Sequence, residues 1–152
     1  MKGLLLACCV LLSTSVFAED EMTQTMMEDI VISLADEYRG RQGFLEFQAQ
    51  GMAMQLISDA KNDRMRIVTP VIEYSRVTAE QKDRMLEANF HSALDARYAV
   101  NNGIVFATYI HPLSSLRPEQ IEFAVYQVYQ LRASFGDGYT SGALVFGQEK
   151  LL

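Results

Sequence analysis

Residues 111–147, HPLSSLRPEQIEFAVYQVYQLRASFGDGYTSGALVFG, contain the stretch that decides the fold. Pro118 suits the first turn of a helix, where its missing N–H is not needed, and Glu119 complements the positive end of the helix dipole. Apolar residues then recur at three- and four-residue steps, which predicts an amphipathic helix ending near Gly136. The apolar stripe consists of Ile121, Ala124, Val125, Val128 and Phe135. Such a stripe needs an apolar surface to cover, and the preceding chain predicts a sheet.

Two further helices and five strands are predicted before this helix. Asn102-Gly103 between apolar runs is a strong hairpin pattern, and Thr78 with Gln81 forms a capping box that starts the second helix. Short connections between consecutive strands favour antiparallel pairing. We therefore predict an α+β fold with two layers, a mostly antiparallel five-stranded sheet and helices packed on it, in the order α-β-β-β-α-β-β-α. The predicted elements are a helix over 22–38, strands over 43–50, 52–57 and 65–74, a helix from Thr78, and strands over 97–100 and 104–110.

Four details of these elements are specific enough to check. Gly40 is placed to close the first helix, whose outer face carries Glu28, Asp29, Asp36 and Glu37. Pro70 suits an edge strand or a bulge, because it cannot donate to a ladder. Leu86, Phe90 and Ala93 are predicted on the buried face of the second helix, with Leu94 at its edge. Apolar residues on both sides of the second and third strands indicate that part of the sheet is covered on both faces.

The first eighteen residues have the pattern of a bacterial signal peptide. Lys2 precedes a short apolar run, and Val16-Phe17-Ala18 places small residues where a signal peptidase cuts, which predicts cleavage after Ala18. The run is too short for a bilayer-spanning helix of about 20 residues. We expect a periplasmic or secreted protein with one domain over 19–152 and no stable membrane insertion after cleavage.

The charge of the remaining chain argues against some partners. Without Lys2, 12 basic residues face 19 acidic ones, a net charge of −7, which disfavours nucleic acid and anionic membranes. Both cysteines lie in the first eighteen residues, so the predicted mature chain has no thiol chemistry. It must fold on its hydrophobic core alone.

Few residues are candidates for catalysis or metal binding. His111 stands close to Ser114 and Ser115, which raises the alternative of a periplasmic small-molecule sensor or hydrolase that uses these three residues. The G-x-S-x-G elbow that exposes a catalytic serine is absent, so helix-start roles are the favoured interpretation of the serines. With two histidines and no cysteine in the mature chain, we predict no metal site and no cofactor.

Aromatic residues on the last helix are the strongest candidates for a partner surface. Phe123 and Tyr126 lie roughly opposite the Val128 stripe at 100° per residue, and Tyr129 follows one turn later. Large aromatic side chains facing away from the sheet are either covered by the apolar tail, residues 143–146, or form an interface. The sequence leaves these two possibilities open.

Four segments resemble the YbjN-domain family of bacterial proteins: RMRIVTPV, EANFHSALDARYAV, the hairpin after it, and HPLSSLRPEQIEFAVYQV with the later FG and SGALVFG. The similarity spans residues 22–147. The resemblance implies the fold of class I type III secretion chaperones and a protein-binding or regulatory role, since the family is described as sensory transduction regulators. The export signal sets this chain apart from secretion chaperones, which work in the cytoplasm.

The prediction is therefore an exported, non-enzymatic module that binds a polypeptide through an exposed apolar face, with Phe123, Tyr126 and Tyr129 as its contact residues. A homodimer, serving as a purely structural protein, is a third alternative.

Overall fold

The computed structural model describes residues 21–144, which form one antiparallel sheet of six strands with three helices. A short 3-10 turn, Tyr74–Arg76, leads from the fourth strand towards the second helix. The α+β class and the antiparallel sheet predicted from the sequence are confirmed. The helices are α1 (Gln24–Leu34), α2 (Ala79–His91) and α3 (Pro118–Ala133), and the strands are β1 (Glu37–Arg41), β2 (Phe44–Ala49), β3 (Met52–Asp59), β4 (Arg64–Glu73), β5 (Ala96–Asn101) and β6 (Ile104–His111).

The strands lie in the order β1-β2-β3-β4-β6-β5. Consecutive strands pair through short turns, and β4 pairs with β6 across the chain that forms α2 and β5. The predicted Asn102-Gly103 hairpin is confirmed, because Asn101 pairs directly with Ile104 and both turn residues have positive φ, 47° and 76°.

The core lies between the sheet and the helices α1 and α3. Helix α3 packs across β4, β5 and β6, and α1 lies beside it and contacts β2. Alternate residues of β2 to β6 face these helices, as Leu56 on β3, Ile67 on β4 and Ala107 on β6 do, and all three are fully buried. The predicted stripe of α3 supplies the other half of the core through Ile121, Ala124, Val125, Val128 and Leu131.

The prediction of five strands is wrong by one, because Tyr38 lies in a strand and not in the first helix. Helix α1 ends at Leu34, and Glu37–Arg41 pairs along β2 with Tyr38 opposite Phe47. Gly40 belongs to this strand with φ of 140°, where a Cβ would lie 2.3 Å from the Phe44 carbonyl oxygen. The glycine therefore permits close strand pairing and does not close a helix.

The predicted orientation of Glu28 is also wrong, since its side chain is buried and only 8% exposed. Its carboxylate accepts hydrogen bonds from the Gly43 N–H at 2.8 Å and from the Ser58 hydroxyl at 3.2 Å. A buried carboxylate requires such donors because it has lost its hydration. Glu28 thus fastens α1 to the β1–β2 turn and to β3.

Within α2 the buried face differs from the one predicted. The prediction is confirmed only for Ala93, which follows the helix and is fully buried. Met85 and Ala88 are buried, whereas Leu86 and Phe90 are 69% and 70% exposed. The reason is that α2 packs against the edge strand β5, where the Asn89 side-chain amide hydrogen-bonds both the backbone N–H and the backbone carbonyl of Tyr98. Its Oδ1 accepts from the Tyr98 N–H at 2.8 Å, and its Nδ2 donates to the Tyr98 carbonyl at 3.1 Å.

Pro70 lies at a bulge, one of the two positions predicted for it, although β4 is an interior strand. The register with β6 shifts between Pro70 and Ile72. The Pro70 carbonyl accepts a hydrogen bond from Arg132 Nε at 2.7 Å, which ties the bulge to the end of α3. Helices α1 and α3 cover one face of the sheet, and no helix within residues 21–144 packs on the other. On that opposite face Val68 and Thr108 are nevertheless buried, 8% and 6% exposed, so the prediction that part of the sheet is covered on both faces stays a prediction.

Candidate functional site: a groove on the open face of the sheet

The sheet face opposite α1 and α3, here called the open face, combines apolar and polar side chains. Cross-strand pairing places Phe106 beside Pro70, and Gln55 beside Val68. Large apolar side chains stay partly or largely accessible on this face, as Ile57 and Ile110 show. An apolar strand face without a covering layer is typical of a binding surface.

A concave groove of about 570 Å³ lies on this face between β1 and β6. The Arg39 guanidinium and the Glu46 carboxylate are paired across β1 and β2, with Nε and Oε2 2.5 Å apart. Charge on this part of the rim is thus balanced, and the remaining rim groups include side-chain amides that can both donate and accept hydrogen bonds. The rim includes Arg39, Glu46, Gln48 and Gln55, and the floor includes Ala53, Pro70, Ile104 and Phe106.

The groove was not predicted from the sequence as a site. Its residues come from five strands, and each strand shows only ordinary alternation of apolar and polar positions. The one relevant pattern is the second apolar side of β3 and β4, from which we predicted a sheet that is covered in part on both faces.

The predicted contact residues lie on α3, on the opposite side of the molecule from the open face. Phe123 and Tyr126 are 61% and 42% exposed, whereas Tyr129 is partly buried against the core. Two of the three side chains therefore share an accessible surface. The predicted cover, residues 143–146, continues beyond the described range after Leu144.

In the alternative site, the side chains of His111 and Ser114 form hydrogen bonds within the chain. The Ser114 N–H and hydroxyl both donate to the Asp63 carboxylate, at 2.7 and 3.0 Å, and these bonds hold the pKa of Asp63 below its usual value, the backbone N–H having the larger effect. The His111 ring is hydrogen-bonded through Nδ1 to the Pro112 carbonyl at 2.8 Å and stacks on Tyr109. Ser115 is exposed. The Ser114 hydroxyl is thus committed to Asp63, which is not the arrangement of an activated nucleophile.

Two further features of residues 21–144 concern metals and membranes. In this range no three His, Asp, Glu or Cys side chains stand close enough to hold a metal ion. His91 lies edge-on to Phe90, with ring centroids 4.7 Å apart. No helix of the described part is long and apolar enough to cross a membrane.

Comparison with known proteins finds similar folds among solved structures and no similar sequence. No known family model matches the chain, and no curated protein matches it in sequence. Among solved structures, the HopA1–SchA chaperone–effector complex matches with a TM-score of 0.57 and 12% identity over 73% of this chain and 90% of the other. The Yersinia pestis type III secretion chaperone SycH, in complex with a fragment of YscM2, matches with a TM-score of 0.56 and 11% identity. This match covers 74% of this chain and 98% of the other. An uncharacterized protein from Methanothermobacter thermautotrophicus matches with a TM-score of 0.51 and 10% identity, over 74% of this chain and 92% of the other.

These likenesses define the class of architecture. The chain has the α+β fold found in type III secretion chaperones, at a level of sequence identity that carries the fold alone. The fold expected from the resemblance is thereby confirmed.

Proposed function

We propose that this protein is a non-enzymatic module that binds an extended polypeptide segment in the groove of the open face. The observation that carries the proposal is the groove itself, an apolar floor with an amide-bearing rim on a sheet face that no described helix covers. The fold adds support, because the solved structures of SchA and SycH are complexes with protein partners.

The chemistry of the groove suits a peptide better than a charged small molecule. Its apolar floor contributes free energy of roughly 25 cal/mol for each Å² that a partner covers. The side-chain amides of Gln48 and Gln55 can satisfy the N–H and C=O groups of an extended backbone. Arg39 pairs with Glu46, and Glu37 adds a further carboxylate to the lining, so we expect the bound segment to carry no acidic residues and to present apolar side chains at alternate positions.

A blocked groove tests the proposal. Ala53→Arg introduces a long cation at an exposed position of the floor without removing a core side chain, and it should weaken binding to the best peptides of a random-peptide array at least tenfold. Ala133→Arg, at an exposed alanine that ends α3, is the matched control and should bind like the wild type. The readout is the dissociation constant by fluorescence anisotropy.

Two results would contradict this assignment. If Ala53→Arg binds as tightly as Ala133→Arg, the groove is not the binding surface. If the array yields no peptide that binds the wild type above background, polypeptide binding itself is wrong.

A second surface for the same function is the exposed aromatic pair on α3. Phe123 and Tyr126 offer a large apolar area, and Tyr129 extends it towards the core. The double variant Phe123→Ser with Tyr126→Ser should reduce capture of a polypeptide partner from an envelope extract if α3 contributes. Unchanged capture would restrict the function to the groove.

We further propose that the protein is exported, is cleaved after Ala18, and belongs to the YbjN-domain family as a regulator. The n-region, the apolar run and the small residues before Glu19 support export, and RMRIVTPV and SGALVFG support the family. Residues 1–20 lie outside the described range. Mass spectrometry of the periplasmic fraction should give a chain that begins at Glu19, and an intact Met1 terminus in the cytoplasm would contradict the proposal.

A further inference from the structure

Cross-strand pairing places one residue from each of five strands in a single line across the open face. This line, here called the arginine row, consists of Arg41, Phe44, Ile57, Arg66 and Ile110, each directly opposite the next. The last four face away from the core, since their neighbours along the strands are buried under the helices. Neighbouring strands lie about 4.8 Å apart, so the row is about 19 Å long.

The apolar members of the arginine row are accessible, and the row is separate from the groove. Ile57 and Ile110 are 36% and 52% exposed, and Phe44 is partly buried. On β3 and β6 these isoleucines stand four residues from the groove residues Ala53 and Phe106, a distance of about 13 Å at 3.3 Å per residue. A segment bound in the groove therefore leaves the row open to a second segment.

The two cations of the row lack a counter-charge in the part of the chain that the structure describes. Within residues 21–144, neither Arg41 nor Arg66 forms a side-chain hydrogen bond or an ion pair. The carboxylates nearest to the row on this face are both occupied. Glu46 belongs to the ion pair on the groove rim, and Asp59 accepts hydrogen bonds from the N–H and the amide of Asn62, at 3.1 and 2.6 Å.

Positive charge is concentrated along the row, against the balance of the whole chain. The row contains two arginines, and the positions two residues away on the same strands add Arg39 and Arg64 against Glu46 and Asp59. Four arginines thus stand beside two carboxylates in a sequence with 13 basic and 19 acidic residues. The groove lining, by contrast, includes the carboxylate of Glu37. The open face therefore favours an acidic ligand at the row and a neutral one in the groove.

We propose that the arginine row binds an acidic segment of the polypeptide partner, an inference that rests on the proposed function. Arg41 and Arg66 are three strand spacings apart, about 14 Å, which equals the rise of four residues in an extended chain. Side chains at even separations share one side of such a chain. Carboxylates at positions i and i+4 therefore face the two guanidinium groups, and apolar side chains at i+2 and i+6 face the isoleucines.

A short acidic segment suits the row better than a nucleic acid or an anionic membrane. The net charge of −6 repels a uniformly charged polymer or surface wherever it extends beyond the row. A peptide presents its carboxylates only at the arginines, where the guanidinium group can bind a carboxylate through two parallel hydrogen bonds. Its apolar residues also cover the accessible isoleucines, which phosphates do not.

A labelled heptapeptide with blocked ends and the sequence ESLSESL carries this spacing. Its dissociation constant, measured by fluorescence anisotropy at low salt, should rise by about tenfold or more in Arg66→Glu, because attraction at this position becomes repulsion. Arg84→Glu makes the same change of charge at an exposed position of α2 and should bind like the wild type. The isomeric peptide EESSLLS should bind the wild type more weakly, because its carboxylates are adjacent and cannot reach both arginines.

Several results would overturn the inference. They are no measurable binding of ESLSESL, equal binding by the wild type and Arg66→Glu, and equal binding of the two isomeric peptides. A wild-type dimer in sedimentation that Arg66→Glu dissociates shows that a second copy of the chain occupies the row.

A failure of the groove can be distinguished from a failure of the row. The neutral peptides selected for the groove should bind Arg66→Glu and the wild type equally. If none of them binds, while ESLSESL binds and depends on Arg66, the groove assignment is wrong and the arginine row stands.

Discussion

Among single residues, Asp63 joins two parts of the chain that are far apart in sequence. It ends the turn between β3 and β4 with a positive φ of 50°, and its carboxylate receives the N–H and hydroxyl of Ser114 just before α3. Ser114, considered in the sequence as part of a ligand site with His111, is thereby explained as a structural partner of an acidic residue.

This contact predicts a specific dependence of stability on pH. The folded protein holds the pKa of Asp63 below its usual value, so the carboxylate contributes stability that is fully present above the unfolded pKa, about 4. That contribution is lost as the pH falls through the lower, folded-state pKa. Urea unfolding measured from pH 6 downwards should therefore show a steeper acid loss for the wild type than for Asp63→Asn.

Asparagine is a suitable comparison at this position, because it tolerates positive φ and keeps an oxygen acceptor for the Ser114 N–H. Equal acid slopes for the two proteins would mean that Asp63 does not titrate differently in the folded and unfolded states. Ser114→Ala should reduce the slope in part, because it removes the hydroxyl donor and leaves the backbone donor in place.

Among the secondary-structure elements, α2 lies along the edge strand β5 and bonds its backbone through the side chain of Asn89. Strand β5 pairs with β6 on one side only, and on its other side Asn89 bonds the N–H and the carbonyl of Tyr98. Unpaired edge groups are a template for pairing with another chain. Asn89 therefore satisfies the edge of β5 at Tyr98.

Removing this amide should cost stability and expose the edge. We expect Asn89→Ala to lower the free energy of unfolding by about 1–3 kcal/mol, because two partly buried backbone groups lose their partners. Chemical denaturation monitored by circular dichroism measures the change. Glu87→Ala, at an exposed position of the same helix, should change stability by less than about 0.5 kcal/mol. A similar loss in both variants would contradict a special role for Asn89.

Features that depend on local sequence were predicted correctly, and features that depend on tertiary packing were not. The Asn102-Gly103 turn and the Thr78–Gln81 capping box are local in origin, and both were predicted correctly. Strand β1 was missed because all five of its residues are exposed and it shows no apolar alternation. The face of α2 was predicted wrongly because the pattern assumed packing on a sheet face, whereas Asn89 bonds the helix to the edge strand β5.

At the scale of the whole molecule, the groove could not be predicted from the sequence, because it forms only when five strands assemble into the sheet. Its rim and floor come from strands as distant in sequence as β1 and β6, and their meeting depends on the strand order. Phe106 is an ordinary strand residue in the sequence and becomes part of the groove only when Pro70 is placed beside it. The aromatic surface of α3 follows from helical periodicity alone, which is why its exposed pair could be anticipated.

The strand order also has a consequence for how the chain folds. Strands β1 to β4 pair with sequence neighbours, as do β5 and β6, whereas the pairing of β4 with β6 joins residues such as Met65 and His111, 46 positions apart. Closing long loops costs entropy before any contact compensates for it, so the union of these two halves should limit the folding rate. In stopped-flow experiments, Ile67→Val at this seam should slow refolding, whereas Val31→Ala in α1 should chiefly accelerate unfolding. The β4–β6 ladder, which crosses the middle of the sheet, would then be the kinetic bottleneck of the molecule.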